Sequence, residues 1–281
     1  MTQAYDLRPV GVFDSGLGGL TSVRELEIIL PSEDIVYFGD TGRVPYGTRS
    51  AETIKKYSRD DLDFLLTKNV KAVLVACGTV SSIALEELCE ISPVPVVGVV
   101  KPASRAATEA ALSDGDGEYA HIAVLGTPAT AKNGAYVREI KALCESAKVE
   151  PVGCPMFVPL VENGYTSPDS AVTRLIAIEY VSRLSSFRPR SLILGCTHYP
   201  LIRASVERAC LEVLGYCPTI IDSGACAASA ISEMLRKKSL LAPEDRNGKS
   251  RFYVSDETHN FSSSASAFLG REIGDVERIR I

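Results

Sequence analysis

AVLVACGT, residues 72–79, gives the clearest sequence signal for the fold. Its apolar residues run without a break and then give way to a small polar turn, which is typical of a buried parallel strand that leads into a helix. SLILGCTHYP, residues 191–200, repeats the pattern and again places a cysteine after the strand. Similar runs alternate with amphipathic stretches along the chain. This alternation predicts an α/β fold with parallel sheets that are covered by helices on both faces.

The apolar runs and the amphipathic stretches predict individual elements. The predicted strands are 9–13, 35–38, 72–76, 94–99, 121–125, 149–153, 191–194, 219–221 and 251–254. The predicted helices include 51–67, 81–90, 129–147, 168–184 and 201–213. The tail from Arg271 to Ile281 alternates in charge and is interpreted as a solvated end.

Two segments of the first half recur in the second half. VGVFDSGLGG around Asp14 resembles IAVLGTPAT around Thr127, and the two cysteine stretches match around Cys77 and Cys196. The matched positions are 113 and 119 residues apart. Two pairs at nearly equal spacing predict an internal duplication into two similar α/β units. We predict a second domain over 102–212 and a discontinuous first domain over 1–101 and 213–281.

The composition excludes several classes of protein. The 281 residues are 46% hydrophobic and 23% charged, which is the balance of a soluble globular protein. The net charge of −5 and the lack of a lysine or arginine run argue against a nucleic-acid partner. No apolar run approaches the length of a membrane span, and the first residues do not resemble a signal peptide. We therefore expect a cytoplasmic protein.

The cysteines are interpreted as reduced thiols. None of them is spaced as CxxC, and several, such as Cys89, Cys144 and Cys210, lie in helical patterns typical of small core residues. A disulfide between Cys77 and Cys196 is the alternative, which a reducing compartment disfavours. A zinc site has little support, because the histidines are far apart in sequence: His121, His198 and His259.

Cys77 and Cys196 are the residues that indicate a catalytic function. Each is predicted near a helix N-terminus, where the helix dipole favours the thiolate and lowers the pKa from about 8.5. A single cysteine at a strand end is more often a buried core residue. If the two units pack face to face, however, a thiol from each would flank a small molecule. Racemisation needs this arrangement, because a base removes a proton from one face of a carbon while an acid protonates the other.

Six motifs resemble the glutamate racemases of the aspartate/glutamate racemase superfamily. They are FDSGLGGLT (13–21), YFGDTGRVPYG (37–47), ACGT (76–79), LGTPAT (125–130), PLVENG (159–164) and GCTHYPL (195–201). The resemblance runs from about residue 10 to residue 235. It implies two doubly wound domains related by a pseudo-twofold axis, with an active site in the cleft between them. It also implies interconversion of L- and D-glutamate for peptidoglycan synthesis, without pyridoxal phosphate or metal.

The resemblance also implies roles for individual residues. Cys77 would remove the α-proton of D-glutamate and Cys196 that of L-glutamate, with Asp14 and His198 beside the two thiols. Asp40 is a further candidate for tuning them, and so is Glu162. The implied substrate-binding residues are Asp14, Ser15, Pro45, Tyr46, Gly47, Gly78, Thr79, Thr127, Glu162, Thr197 and His198.

Each of these residues also has an ordinary structural interpretation. Asp14 alone is as often a helix N-cap as a catalytic group. His198 alone is more often a structural histidine, Tyr46 can be a turn aromatic, and Glu162 can be a loop charge. DSGLGG could be a phosphate-binding loop, although its glycines follow neither the GxGxxG nor the P-loop spacing.

The first cysteine motif departs from the family. The family ordinarily has Cys-Asn-Thr, whereas this chain has glycine at position 78, so a side chain that contacts the substrate is missing. Val80, Lys101 and Asn133 also differ from the residues usual in the family. Two alternative functions therefore remain. One is a racemase for aspartate or another amino acid, and the other is a non-catalytic paralogue that binds an amino acid or a protein. A thiol hydrolase has less support. The expected partner is a small molecule, and the sequence leaves a homodimer open.

Overall fold

Two parallel β-sheets organise the residues that the computed structural model describes, which are 5–113, 120–256 and 261–281. The strands are β1 Val10–Asp14, β2 Ile35–Gly39, β3 Ala72–Val75, β4 Val96–Gly98, β5 His121–Gly126, β6 Lys148–Gly153, β7 Ser191–Leu194, β8 Thr219–Asp222, β9 Ser250–Val254 and β10 Val276–Arg278. Every strand pair within these described ranges is parallel. The predicted α/β class with parallel sheets is confirmed.

Helices connect the strands in the way that parallel pairing requires. They are α1 Leu20–Ile29, α2 Ala51–Thr67, α3 Gly78–Ile83, α4 Leu85–Ile91, α5 Val100–Leu112, α6 Pro128–Asn133, α7 Ala135–Leu143, α8 Phe157–Glu162, α9 Ala171–Ser182, α10 Arg203–Leu214, α11 Ser223–Lys237 and α12 Phe261–Leu269. Short 3₁₀ helices cover Tyr46–Thr48 and Tyr199–Ile202. None of the helices in the described ranges combines the length and the apolar character of a membrane span.

The chain divides into two compact units. The first consists of Met1–Val99 with Gly224–Ile281, and the second of Val100–Ser223. The first unit's sheet has the strand order β10-β9-β2-β1-β3-β4, and the second unit's sheet has the order β6-β5-β7-β8. The predicted return to the first domain at residue 213 precedes β8. In the structure β8 pairs with β7, so the chain completes the second sheet before it returns.

The same strand order recurs in the two units. β2-β1-β3-β4 in the first sheet corresponds to β6-β5-β7-β8 in the second, in the same sequence order. β1, β2, β3 and β7 are buried along their whole length, which explains their continuous apolar sequences. Cys77 and Cys196 follow corresponding strands, β3 and β7. The two units are therefore similar in topology, as the internal repeats predict.

Some predicted elements differ from those in the structure. The predicted helix 129–147 is two helices, because Gly134 adopts a left-handed conformation with φ of 71° between α6 and α7. The predicted helix 81–90 begins earlier, at Gly78, and is interrupted at Ala84. The tail interpreted as a solvated end contributes β10, which pairs with β9 at the edge of the first sheet. An edge strand tolerates exposed charges, which hid it from the apolar pattern.

Candidate active site

Cys77 lies at the carboxyl edge of the first sheet. It follows β3 as the N-cap residue of α3, and it is 5% exposed. Its thiol donates a hydrogen bond to the hydroxyl of Ser15, with Sγ and Oγ 3.4 Å apart. Ser15 directly follows Asp14, the buried last residue of β1, and β1 pairs with β3. The sheet thus brings together the predicted residues Asp14, Ser15 and Cys77.

Tyr37 holds the loop after β1 in place. Its buried hydroxyl donates a hydrogen bond to the carbonyl oxygen of Gly16 at 2.6 Å. The Gly16 N–H in turn donates to Oδ2 of Asp14 at 3.0 Å. β2 approaches the loop so closely that a Cβ atom at Gly39 would collide with the Gly16 carbonyl. The sequence analysis missed Tyr37, because a tyrosine in an apolar strand resembles an ordinary core residue.

The surroundings of Cys77 disfavour its thiolate. Burial, and then the negative charge of Asp14, raise the pKa of the thiol to about 12, although the hydrogen bond to Ser15 acts in the opposite direction. The prediction of a lowered pKa is therefore wrong for this cysteine. The backbone hydrogen bond from Val80 in α3 lowers the pKa of Cys77, but the loss of hydration on burial has the larger effect.

Other predicted residues of the first unit lie on two elements near Cys77. Gly78 and Thr79 form the buried first turn of α3. Pro45 precedes the 3₁₀ helix Tyr46–Thr48, which contains Gly47 and packs against α3. The ring of Tyr46 belongs to the same buried apolar cluster as Cys77.

Asp40 makes its contacts away from the thiol. Its carboxylate accepts hydrogen bonds from Arg43, from the Tyr46 hydroxyl and from the Ser255 hydroxyl. Asp40, predicted as a candidate for tuning the thiols, therefore joins the loop after β2 to the chain after β9.

Cys196 has a different set of neighbours in the second unit. It follows β7 and is 7% exposed, and its Sγ lies 3.8 Å from Nδ1 of His198. The Thr197 hydroxyl lies 3.4 Å from the same nitrogen. The other ring nitrogen, Nε2, lies 3.1 Å from Oε1 of Glu162 at the end of α8. The structure thus brings together Cys196, Thr197, His198 and Glu162.

The partners of His198 favour its charged form. Burial lowers the pKa of the imidazole, but the hydrogen bonds and charges of Cys196 and Glu162 have the larger combined effect and raise it to about 10. The ring lies between the sulfur of Cys196 and the carboxylate of Glu162, and a negative charge on either group stabilises a positive charge on the ring. Glu162, which alone resembles a loop charge, is the partner that orients this ring.

Thr127 lies at the same edge of the second sheet as Cys196. It follows β5 and caps α6, with its hydroxyl accepting from the Thr130 N–H at 3.2 Å. β5 pairs with β7, and the Gly195 N–H donates to the Leu125 carbonyl at 2.8 Å. The two strand ends therefore lie side by side.

Cys154 is a further buried thiol of the second unit and lies near Cys196. It directly follows β6, and its carbonyl accepts a hydrogen bond from the Tyr199 hydroxyl at 3.1 Å. Burial raises the pKa of Cys154, and a charge on Cys196 would raise it further. The sequence signal was present, since Cys154 follows a predicted strand, but no matching repeat drew attention to it.

The comparisons with known proteins identify the class of this chain. The family model for Asp/Glu/Hydantoin racemase matches residues 23–231. The chain belongs to this family, and it is therefore an isomerase of the racemase class. Among curated proteins it is 41% identical over 276 residues to a glutamate racemase from Syntrophus aciditrophicus, with 98% of each chain covered. A glutamate racemase from Geobacter metallireducens is 39% identical over 274 residues, covering 98% of this chain and 97% of the relative.

A solved structure supports the same assignment. The crystal structure of glutamate racemase from Francisella tularensis in complex with D-glutamate matches with a TM-score of 0.87 at 36% identity. The match covers 98% of both chains. The resemblance inferred from the six motifs is confirmed over nearly the full length.

Proposed function

We propose that this protein interconverts L- and D-glutamate by proton transfer between two cysteines, without a cofactor. One observation carries the proposal: each unit places a buried thiol after the corresponding strand of its sheet, Cys77 after β3 and Cys196 after β7. Relatives that match almost the whole chain are named glutamate racemases, which supports glutamate as the substrate.

In the proposed reaction the two thiols act from opposite faces of the α-carbon. With L-glutamate, the thiolate of Cys196 takes the α-proton, and the thiol of Cys77 delivers its proton to the other face. The products are D-glutamate, a protonated Cys196 and a deprotonated Cys77. The reverse reaction begins from this second form of the enzyme. His198 stabilises the negative sulfur of Cys196 before the proton arrives.

The remaining predicted residues are proposed to bind the substrate. Hydroxyl and backbone N–H groups at helix N-termini are suitable receptors for carboxylates. The groups proposed for this role belong to Ser15, Tyr46, Gly47, Gly78, Thr79, Thr127 and Thr197. Pro45 has no N–H and is proposed to contribute by fixing the backbone before Tyr46 and Gly47. Asp14, Glu162 and His198 are proposed to contribute charge near the ammonium group and the thiols.

Gly78 favours one alternative, a racemase for aspartate or another amino acid with the same thiols. It is buried next to Cys77, where the family ordinarily has asparagine, so this loop lacks one side chain that could select glutamate. A lost hydrogen bond to a charged group is worth roughly 1–3 kcal/mol, unless water replaces it.

The biological setting follows from the resemblance. We propose that the protein supplies D-glutamate for peptidoglycan synthesis in the cytoplasm. We also propose a homodimer, which sedimentation analysis tests directly: a single species of the monomer's mass would contradict it.

Incubation with L-glutamate in deuterated water tests the proposed reaction. We expect deuterium at the α-carbon, measured by NMR, together with loss of optical activity, measured by polarimetry. L-Aspartate in a parallel incubation tests the alternative substrate. Absence of α-exchange with every amino acid tested would contradict racemisation and favour a binding protein.

A further inference from the structure

A buried cluster of acidic side chains holds the loop between β2 and α2. Arg43, in this loop, contacts a different carboxyl group with each of its three nitrogens. Nε lies 2.5 Å from Asp40, Nη1 lies 2.7 Å from Asp60, and Nη2 lies 2.9 Å from Asp61. The side chains of Asp40 and Asp61 are fully buried, whereas that of Asp60 is 37% exposed. One guanidinium thus joins the loop to α2.

The hydroxyl of Tyr46 lies between two of these carboxyl groups. It contacts Oδ2 of Asp40 and lies 3.0 Å from Oδ2 of Asp61. A phenol has one proton to donate, so both contacts are hydrogen bonds only when one carboxyl group supplies a proton of its own. Asp40 also accepts hydrogen bonds from Arg43 and from Ser255, so further donors already face both of its oxygens. Asp61 is therefore the group that carries the additional proton.

The electrostatics of Asp61 agree with this assignment. Burial, and then the negative charge of Asp40, raise the pKa of its carboxyl well above the ordinary value. Arg43 and the Tyr46 hydroxyl act in the opposite direction, and Asp60 on the same helix adds a small raising effect. The resulting chain runs from the Asp61 carboxyl to the Tyr46 hydroxyl and on to the Asp40 carboxylate.

We propose that Asp61 is a positioning residue for the racemase reaction, acting through Tyr46 to fix the backbone of the Pro45–Gly47 segment. This inference rests on the proposed function, in which that segment binds the substrate. Tyr46 opens a 3₁₀ helix that packs against α3, the helix that begins directly after Cys77. A shift of Tyr46 therefore moves a binding segment without removing either thiol.

Three variants test the role of Asp61. Asp61→Leu removes the carboxyl at similar volume, and we expect KM for glutamate to rise by about tenfold while kcat changes less than about threefold. Asp61→Asn keeps a donor for Tyr46 and an acceptor for Arg43, so we expect it to restore KM to within about twofold of the wild type. Asp60→Leu is the matched control, because Asp60 contacts the same arginine but does not contact Tyr46. We expect its KM to stay unchanged.

Racemisation by the wild type in the same assay separates this inference from the proposed function. If the wild type does not racemise glutamate, the proposed function fails; if it does, the variants decide the role of Asp61.

Thermal unfolding establishes that each variant is folded. If Asp61→Leu does not fold, Asp61→Ala removes the same carboxyl without placing a large apolar side chain against Arg43, and we expect the same rise in KM. An unchanged KM in a folded variant that lacks the Asp61 carboxyl would contradict the positioning role of Asp61. An equal rise in KM for Asp60→Leu would also contradict it. An equal rise in KM for Asp61→Asn would contradict the assignment of a proton to the Asp61 carboxyl.

Discussion

The two cysteine loops have corresponding positions in their sheets but opposite electrostatic surroundings. Cys77 lies near the carboxylate of Asp14, which together with burial raises the pKa of the thiol to about 12. Cys196 lies 3.8 Å from His198, whose pKa is itself raised to about 10 by Cys196 and Glu162. A carboxylate disfavours a negative sulfur beside it, whereas an imidazolium favours one. The duplicated fold sets where each sulfur lies, but the ionisable neighbours differ: a carboxylate lies near Cys77 and an imidazole near Cys196.

This difference has a consequence for the proposed reaction. The raised pKa of Cys77 favours the form of the free enzyme in which Cys77 holds its proton, which is the form that the proposed reaction requires for L-glutamate. Because the two enantiomers have equal free energies, kcat/KM must nevertheless be the same in both directions at every pH. Any asymmetry between the loops therefore shows in kcat and KM separately. Equal values of kcat/KM in the two directions are therefore an internal check on the kinetics of the wild type and of each variant.

Removing either sulfur should have the largest effect. Each face of the α-carbon has one acid–base group in the proposed mechanism, so we expect Cys77→Ala and Cys196→Ala each to lower racemisation by about 10³-fold or more. Polarimetry measures the loss, and circular dichroism checks the fold. Cys210→Ala is a control, since this buried helical cysteine should affect stability only.

Deuterium exchange in these variants tests which enantiomer each thiol deprotonates. The remaining thiol can still exchange the α-proton of one enantiomer without inversion. We expect Cys196→Ala to label D-glutamate and Cys77→Ala to label L-glutamate. Labelling of the opposite enantiomers would reverse the assigned roles, and residual racemisation above a few per cent would contradict the two-thiol mechanism.

Neutralising the neighbour of each thiol should have smaller and different effects. His198→Asn removes a charged hydrogen-bond partner worth roughly 1.5–3 kcal/mol, so we expect kcat/KM to fall about tenfold to a hundredfold. Asp14→Asn removes a charge that raises the pKa of Cys77, so the pKa should fall. The alkaline limb of the bell-shaped profile of kcat/KM, where the acid is lost, should then move to lower pH.

The pH profile of each variant, measured in both directions, tests this pair of expectations. An alkaline limb that stays fixed or moves upward in Asp14→Asn would show that Asp14 does not act on the coupled thiols.

The sequence predicted the strands that position the site better than it predicted the contacts and pKa values of the site residues. Continuous apolar runs located the strands closely, β7 to the residue, because buried parallel strands have few other sequences available. The break at Gly134 and the edge strand β10 were missed, since one depends on a backbone conformation and the other on pairing with β9. The contact between His198 and Glu162 spans 36 residues and depends on the packing of α8. The raised pKa of Cys77 depends on its burial, which a local sequence motif does not predict.

Replacing Gly78 tests whether the loop of Cys77 has lost a substrate contact. If the absent side chain weakens binding, Gly78→Asn should raise kcat/KM for glutamate by up to about tenfold, corresponding to roughly 1.4 kcal/mol. Steady-state kinetics with glutamate and aspartate measure the change. A loss of activity with no gain on either substrate would show that the buried first turn of α3 has packed around the glycine.

The smallest expected effect concerns Tyr37, which holds the loop after β1 beside Cys77. Tyr37→Phe removes one hydrogen bond to the Gly16 carbonyl, worth about 1 kcal/mol, and leaves the ring in the core. We expect kcat/KM to fall by about fivefold, because the loop that carries Asp14 and Ser15 is held less firmly against Cys77. Tyr253→Phe, a buried tyrosine on β9 in the same sheet, is the matched control and should leave kcat/KM unchanged. If both variants lose stability equally and neither changes the kinetics, Tyr37 contributes only to the stability of the core. The position of Asp14 and Ser15 beside Cys77 then does not depend on the Tyr37 hydroxyl.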